Sequence, residues 1–302
     1  MLSKTTLDTI RGYIPEENII LDASLAEYTT FKVGGPAVCI VEIETVEQLC
    51  NMSRYLNLVE YPYFILGNGS NTLALDEGYN GIILHLGKKF EGVSVNGNIV
   101  TAKTGTMLTR VSRIAQENGL SGLEFAAGIP GSVGGAVVMN AGAYDGEMSQ
   151  VVKLVRVVSP EGEIMELTPA FLEFGYRNSV LKHKKFIATE VVFELVPGDK
   201  EAIKAKMDDF NSRRREKQPL DFPSAGSTFK RPAGYFAGKL IMDSGLRGFQ
   251  IGGARVSDKH CGFVINAGNA TAADILDVID EVRERVYERF TVSLEPEIVV
   301  LK

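Results

Sequence analysis

Tyr63-Phe64-Ile65-Leu66-Gly67-Asn68-Gly69-Ser70-Asn71-Thr72 is an apolar, aromatic run that empties directly into a polar glycine loop. Glycines let backbone N–H groups converge on an anion without side-chain obstruction, and Ser70, Asn71 and Thr72 add polar side chains. Upstream, residues 37–43 read as a strand, and Thr45 with Gln48 forms a capping box that opens a helix to about Leu56. The unit is therefore strand, helix, strand, glycine loop. A second loop of the same character follows at Gly128-Ile129-Pro130-Gly131-Ser132-Val133-Gly134-Gly135-Ala136, with Asn140-Ala141-Gly142 behind it. Isolated glycines mostly serve tight turns, but two such loops in one chain favour a diphosphate held between them.

The same loops exclude two common folds. A GxGxxG fingerprint needs a third glycine where Thr72 stands, and GxxxxGK[ST] is absent. A dinucleotide site built on these loops belongs to a fold that is neither Rossmann nor P-loop.

Working outward, residues 81–86 read as a strand, and 93–95 with 99–102 as a hairpin turning at Asn96-Gly97. A helix from Met107 stops at Asn118-Gly119. Residues 151–158 and 163–167 form a second hairpin around Pro160-Glu161-Gly162, and 185–195 a further strand. From Asp199 the apolar positions Ile203, Met207 and Phe210 recur at helical spacing and lead into Arg213-Arg214-Arg215-Glu216-Lys217. Pro219 and Pro223 then mark a domain boundary. Beyond it come a strand at 262–266, a helix opening at Thr271 with Ile275, Leu276, Ile279, Val282, Val286 and Phe290 on one face, and a closing strand at 297–301. The pattern is α+β.

At 302 residues and 45% hydrophobic content the chain can bury a substantial core, and its length favours two or three structural units. A formal charge of −6 leaves no net basic field to recruit nucleic acid. The first residues carry Lys4, Asp8 and Arg11 in place of a signal peptide's apolar run, and no apolar stretch reaches the ~20 residues of a membrane span. A cytoplasmic protein is expected. Cys39, Cys50 and Cys261 are far apart and read as reduced thiols, with Cys39 and Cys50, among apolar neighbours, expected to be buried. His85, His183 and His260 are too isolated to form a metal site, so no metal is expected.

Several segments in order carry a resemblance: Tyr28-Thr29-Thr30-Phe31-Lys32-Val33-Gly34-Gly35, Leu66 to Asn71, Gly128 to Gly135, Gly175-Tyr176-Arg177-Asn178-Ser179, Ala225-Gly226-Ser227-Thr228-Phe229-Lys230 and Leu294-Glu295-Pro296-Glu297. Together they resemble the UDP-N-acetylenolpyruvoylglucosamine reductases, from about Tyr28 to the end of the chain. The resemblance implies noncovalent FAD in the two-part fold of vanillyl-alcohol-oxidase-like (PCMH-type) flavoproteins, plus a C-terminal α+β substrate domain. It assigns 1–84 and 85–205 to the two FAD-binding parts and 206–302 to the substrate domain. The short link between Tyr176-Arg177 and Ser227 matches the shorter of the family's two forms, which lacks an extra substrate-clamping loop. The implied reaction uses NADPH and FAD to reduce the enolpyruvyl ether of a UDP-sugar in peptidoglycan precursor synthesis. A monomer is expected, with no nucleic-acid or membrane partner.

On this resemblance the FAD contacts fall on Gly67, Asn68, Gly69, Ser70, Asn71, Thr72, Gly128, Ile129, Pro130, Gly131, Gly134, Gly135, Ala136, Asn140 and Gly142. Arg177 is carried over as the guanidinium that grips the substrate carboxylate, Ser227 as the proton donor with Ser224 as its fallback, and Glu297 as a carboxyl group at the substrate, favoured over Glu295. Tyr176, Arg177, Arg214 and Lys230 are the expected substrate contacts. Two other readings stand beside this one: an FAD-dependent oxidase of the same fold acting on another small molecule, and a noncatalytic nucleotide-binding protein.

Overall fold

In a computed structural model describing residues 2–302, the strand–helix–strand unit before the first glycine loop is present. Thr45 Oγ1 accepts from the Gln48 N–H and Gln48 Oε1 from the Thr45 N–H, both at 3.2 Å, so the helix Val46–Leu58 starts with its first free donors satisfied. Its inner face, Leu49, Met52 and Leu56, shares one core with Cys39 and Val41 of the strand Pro36–Glu42 and Ile82 and Leu84 of the strand Tyr79–His85. The sheet runs in the order Ile19–Ser24, Pro36–Glu42, Tyr79–His85, Tyr63–Leu66. Tyr63–Leu66 and Tyr79–His85 are parallel, Tyr63 opposite Ile82 and Leu66 opposite His85, so the chain must make a crossover between them. That crossover contains the first glycine loop.

A five-stranded antiparallel sheet follows, in the order Ile164–Leu167, Val152–Val158, Ile187–Glu194, Ile99–Lys103, Val93–Asn96. Alternating inward positions such as Val155 and Val157, Val100 and Ala102, and Val191 and Phe193 build a second core with Leu108, Val111 and Ala115 of the helix Leu108–Glu117. The Ser53 hydroxyl, fully buried, donates to the Ser159 carbonyl at 2.8 Å and fastens the capped helix to the turn of this sheet.

By contacts the chain groups into two units: Met1–Leu21, Val38–Asn68 and Gly81–Arg213 in the first, Asp22–Ala37, Gly69–Asn80 and Arg214–Lys302 in the second. Two stretches of the segment read as 1–84 thus group with the C-terminal residues, because Thr72–Ala74 pairs in parallel with Val299–Leu301 and Leu73 is buried among the C-terminal residues. The second unit's core joins Phe31, Val33 and Leu73 to Ile275, Val278, Ile279, Val282 and Val286 of the helix Ala272–Phe290 and to the sheet Gln250–Ile251, Ala254–Val256, Val264–Asn266. Burying each of these aliphatic side chains contributes roughly 1.5–3 kcal/mol. Gly35 permits the close approach inside this unit: a Cβ there would lie 2.1 Å from the Asp76 carbonyl oxygen.

The helix read from Asp199 spans Lys200–Lys217, but only Ile203 is buried. Exposed i,i+4 ion pairs such as Lys204–Asp208 at 3.0 Å and Arg213–Asp209 at 2.6 Å add about 0.2–0.5 kcal/mol each to its local stability. Cys39 and Cys261 are buried and Cys50 half-buried, all three as free thiols, and burial pushes the Cys50 and Cys261 thiols above their ordinary pKa. No helix among the described residues is long and apolar enough to cross a membrane.

The start of the helix Ala272–Phe290 yields a test. Besides its Thr271/Asp274 capping box, its N–H groups at Ala272 and Ala273 donate to the two Asp76 carboxylate oxygens at 2.8 and 3.0 Å. Asp76→Ala removes both acceptors and a negative charge at a helix N-terminus. The expected loss is about 1–2 kcal/mol of stability, read by chemical denaturation; an unchanged midpoint would refute this role.

Candidate active site

In the first unit, Gly67 and Asn68 end the strand Tyr63–Leu66 against the second glycine loop. Asn68 Nδ2 donates to the Pro130 carbonyl at 2.6 Å, and a Cβ on Gly67 would stand 2.2 Å from Ser132 Oγ. Ser132 is buried and caps the short helix Val133–Val138, accepting from Gly135 N–H at 3.4 Å. The N–H groups of Val133 and Gly134 donate to the carbonyls of Thr106 and Thr104, at 2.8 and 2.9 Å, which fixes the loop on the sheet behind it. Gly135 differs from its neighbours: it is exposed, and a Cβ there would meet only Ser132 Oγ, at 3.7 Å. Its N–H and carbonyl are both engaged within the helix start, by Ser132 Oγ and by the Met139 N–H at 3.1 Å.

Arg177 belongs to the same unit and is placed by three ties. Gly175 and Asn178 exchange backbone hydrogen bonds at 3.0 and 3.1 Å around Tyr176-Arg177, and Arg177 takes φ 54°, a conformation that usually falls to glycine or asparagine. Buried Asn140 donates from Nδ2 to the Gly175 carbonyl at 3.1 Å, while its Oδ1 accepts from Ser149 N–H at 2.9 Å. The buried Ser179 hydroxyl donates to the Val138 carbonyl at 2.8 Å. Arg177 Nη2 then donates to the Gly142 carbonyl at 3.1 Å, with its guanidinium 5.1 Å from the Tyr176 ring centre. The first unit therefore brings Gly67, Asn68, residues 128–136, Asn140, Gly142, Tyr176 and Arg177 into one network of neighbouring segments.

In the second unit, buried Thr228 fastens the segment that carries Ser227. Its N–H donates to the Gly262 carbonyl at 2.9 Å, its Oγ1 accepts from Val264 N–H at 2.9 Å, and its carbonyl accepts from Glu297 N–H at 2.8 Å. Phe229 bridges Pro296, and Lys230 N–H donates to the Glu295 carbonyl at 2.9 Å. The first loop's remaining residues meet the same place: Asn71 Nδ2 donates to the Glu297 carbonyl at 3.2 Å, and Asn71's own carbonyl accepts from Val299 N–H at 2.9 Å. The final strand starts at Val299, so Glu297 lies just before it and is fixed by these backbone bonds.

Ser227 is exposed and Ser224 half-buried, and the Ser224 carbonyl accepts from Thr30 Oγ1 at 2.6 Å. Glu297 is half-buried, whereas the Glu295 side chain is 69% exposed and ion-paired with Lys230. Arg214 lies in the last turn of Lys200–Lys217 and opens the C-terminal stretch of the second unit. His260, next to the Gly262 that receives Thr228, is held below its ordinary pKa by burial.

Sequence reasoning missed Thr228, whose side chain makes a structural bond that no local pattern announces. It also missed Tyr144 and Asp145, which take φ 51° and 64° in the two-residue turn between Gly142–Ala143 and Gly146–Glu147. Such turns normally carry Asn-Gly, so the composition conceals the conformation.

Asn68 on the Pro130 carbonyl and Gly67 against Ser132 join the two glycine loops closely, and the FAD binding domain model matches residues 37–168. The class is thus an FAD-binding protein of α+β architecture with a distinct C-terminal domain. A second family model, UDP-N-acetylenolpyruvoylglucosamine reductase, C-terminal domain, matches residues 218–301. The UDP-N-acetylenolpyruvoylglucosamine reductase of Clostridium perfringens (strain SM101 / Type A) is 52% identical over 95% of this chain and 94% of its own length. That of Clostridioides difficile (strain 630) is 47% identical over 95% of each. The crystal structure of the Thermus caldophilus enzyme superposes with a TM-score of 0.80 at 38% identity, over 94% of this chain and 98% of that one. The chain belongs to the UDP-N-acetylenolpyruvoylglucosamine reductase family.

Gly67→Val tests the loop apposition. The branched side chain must displace Ser132 Oγ and with it the cap of Val133–Val138. FAD affinity is expected to fall about tenfold or more, read by flavin titration and by the flavin-to-protein absorbance ratio of the purified protein. Wild-type FAD retention would show that the two loops do not form the cofactor cradle.

Proposed function

We propose that this protein reduces the enolpyruvyl ether of UDP-N-acetyl-3-O-(1-carboxyvinyl)-glucosamine to UDP-N-acetylmuramate, with NADPH as reductant, as a cytoplasmic, monomeric enzyme of peptidoglycan precursor synthesis. Family membership over almost the whole chain supports the reaction. The observation that carries the residue assignment is the 2.8 Å bond from Glu297 N–H to the Thr228 carbonyl, which fixes the segments of Ser227 and Glu297 side by side.

When bound and reduced by NADPH, the flavin would supply hydride to the terminal carbon of the enolpyruvyl group and return to its oxidised form. Negative charge then develops on the adjoining carbon and its carboxylate. Arg177, fixed in its strained turn, grips that carboxylate through its planar fork of donors and favours the charge as it forms. Ser227 delivers the proton to carbon. An alcohol is a weak acid, but a carbanionic centre is a strong base, so position decides and acidity does not. Glu297 holds the substrate carboxylate by hydrogen bonding if protonated and orients the substrate if ionised. The 69% exposure of the Glu295 side chain, against a half-buried Glu297, supports Glu297 for this role.

Gly67, Asn68, residues 69–72, Gly128, Ile129, Pro130, Gly131, Gly134, Gly135, Ala136, Asn140 and Gly142 hold the cofactor, mainly through backbone groups. Tyr176 packs on the substrate, and Arg214 and Lys230 face its phosphates, Lys230 by exchanging Glu295 for phosphate oxygen. In this reading residues 1–84 and 85–205 supply the FAD-binding parts and 206–302 the substrate domain, with the stretches 22–37 and 69–80 built into the latter's core.

Ser227→Ala separates the half-reactions. Flavin reduction by NADPH is expected to proceed at the wild-type rate, while reoxidation by the enolpyruvyl substrate falls by about 100-fold or more, since only that step needs the proton. Stopped-flow absorbance reads both. Normal reoxidation in this variant would remove Ser227 as the donor.

A further inference from the structure

We propose that Tyr144 is a positioning residue for Arg177, acting through the turn that presents the Gly142 carbonyl. This inference rests on the role given to Arg177 above. The hairpin Gly142–Ala143/Gly146–Glu147 pairs Gly142 with Glu147 and Ala143 with Gly146, leaving Tyr144-Asp145 as its two-residue loop. Both loop residues adopt positive φ, which such a turn requires and which glycine or asparagine adopts without steric conflict. A tyrosine there is a costly choice unless its side chain has a task.

The task is visible in its contacts. The Tyr144 ring stacks on Phe210 with centroids 4.4 Å apart and planes 9° from parallel, and its hydroxyl donates to the Phe210 carbonyl at 3.1 Å. Phe210 belongs to the helix Lys200–Lys217, so the hairpin tip is latched to a helix of the same unit. At its other end the hairpin hands the Gly142 carbonyl to Arg177 Nη2 at 3.1 Å. Arg177 sits in a second strained turn, at φ 54°, and Asn140, at φ 41°, ties the two turns together through Gly175 and Ser149. Four left-handed non-glycine residues thus converge on one hydrogen bond, and strain of this kind persists where surrounding contacts over-determine it. The Tyr144–Phe210 latch holds the tip of the hairpin side of that bond, beside the Gln150 Nε2 bond to the Asp145 carbonyl at 3.3 Å.

The test uses the full-length holoenzyme. Tyr144→Gly removes the latch yet suits φ 51°, so the chain keeps its fold, checked by its thermal transition and FAD content. The expected result is reoxidation by the enolpyruvyl substrate slowed about tenfold with a raised KM, while flavin reduction by NADPH stays within about twofold of wild type. Tyr144→Phe, which keeps the stack, is expected to lose less. In a double-mutant cycle with Arg177→Lys, the pair should be no worse than Arg177→Lys alone. Wild-type reoxidation by Tyr144→Gly, equal slowing of both half-reactions, or full additivity in the cycle would each overturn the proposal while leaving Arg177's own role standing. If Arg177→Lys itself reoxidises at the wild-type rate, the underlying reading fails, and this inference with it.

Discussion

The parallel pairing of Thr72–Ala74 with Val299–Leu301 is the constraint on which the second unit rests. Three residues that follow the first glycine loop are joined to the last strand of the chain across more than two-thirds of its length. Closing so long a loop costs entropy that only tertiary burial offsets, and Leu73 supplies it by sinking into the core around the helix Ala272–Phe290. Asn71 and Asp76 flank the pair and extend its effect. Asn71 bonds the backbone at Glu297 and Val299, while Asp76 caps the long helix. The placement of Glu297, and through Thr228 of Ser227, therefore follows from a strand pair made far away in sequence.

Local signals in the sequence were sufficient wherever local chemistry decides. The Thr45/Gln48 and Thr271/Asp274 boxes cap their helices, Gly119 and Gly162 take the positive φ their turns need, and the strand at Tyr63–Leu66 runs into its glycine loop as read. What escaped was structure whose cause lies elsewhere in the chain. Thr72–Ala74 is three residues long and has no periodicity to detect; it is a strand because Val299–Leu301 lies beside it. The helix Lys200–Lys217 shows the converse case: Ile203, Met207 and Phe210 have helical spacing, yet only the first is buried, and Phe210 is used for stacking.

The site divides along the same line. The residue types proposed for it and their order along the chain come from the sequence, since glycine loops, a guanidinium, a serine and a carboxylate are chemical statements a sequence can make. Discriminating Glu297 from Glu295 by strand alternation was not possible, with Pro296 between them and the strand starting only at Val299. The greater exposure of Glu295 favours Glu297 in the proposed reading, by a means alternation could not supply.

Strain is the part of the site a sequence hides most completely. Asn140, Tyr144, Asp145, Glu173 and Arg177 all hold positive φ within the first unit, and none is a glycine. Each such residue costs about 1–3 kcal/mol, so their gathering around Gly142 and Gly175 is unfavourable locally and must be held by buried hydrogen bonds such as those of Asn140 and Ser179. A glycine at Arg177 would relieve the turn but could not carry a guanidinium, and a relaxed arginine would point it elsewhere. The backbone conformation and the side chain are thus selected together, and under the role proposed for Arg177 the strained turn aims the charged group before the substrate arrives.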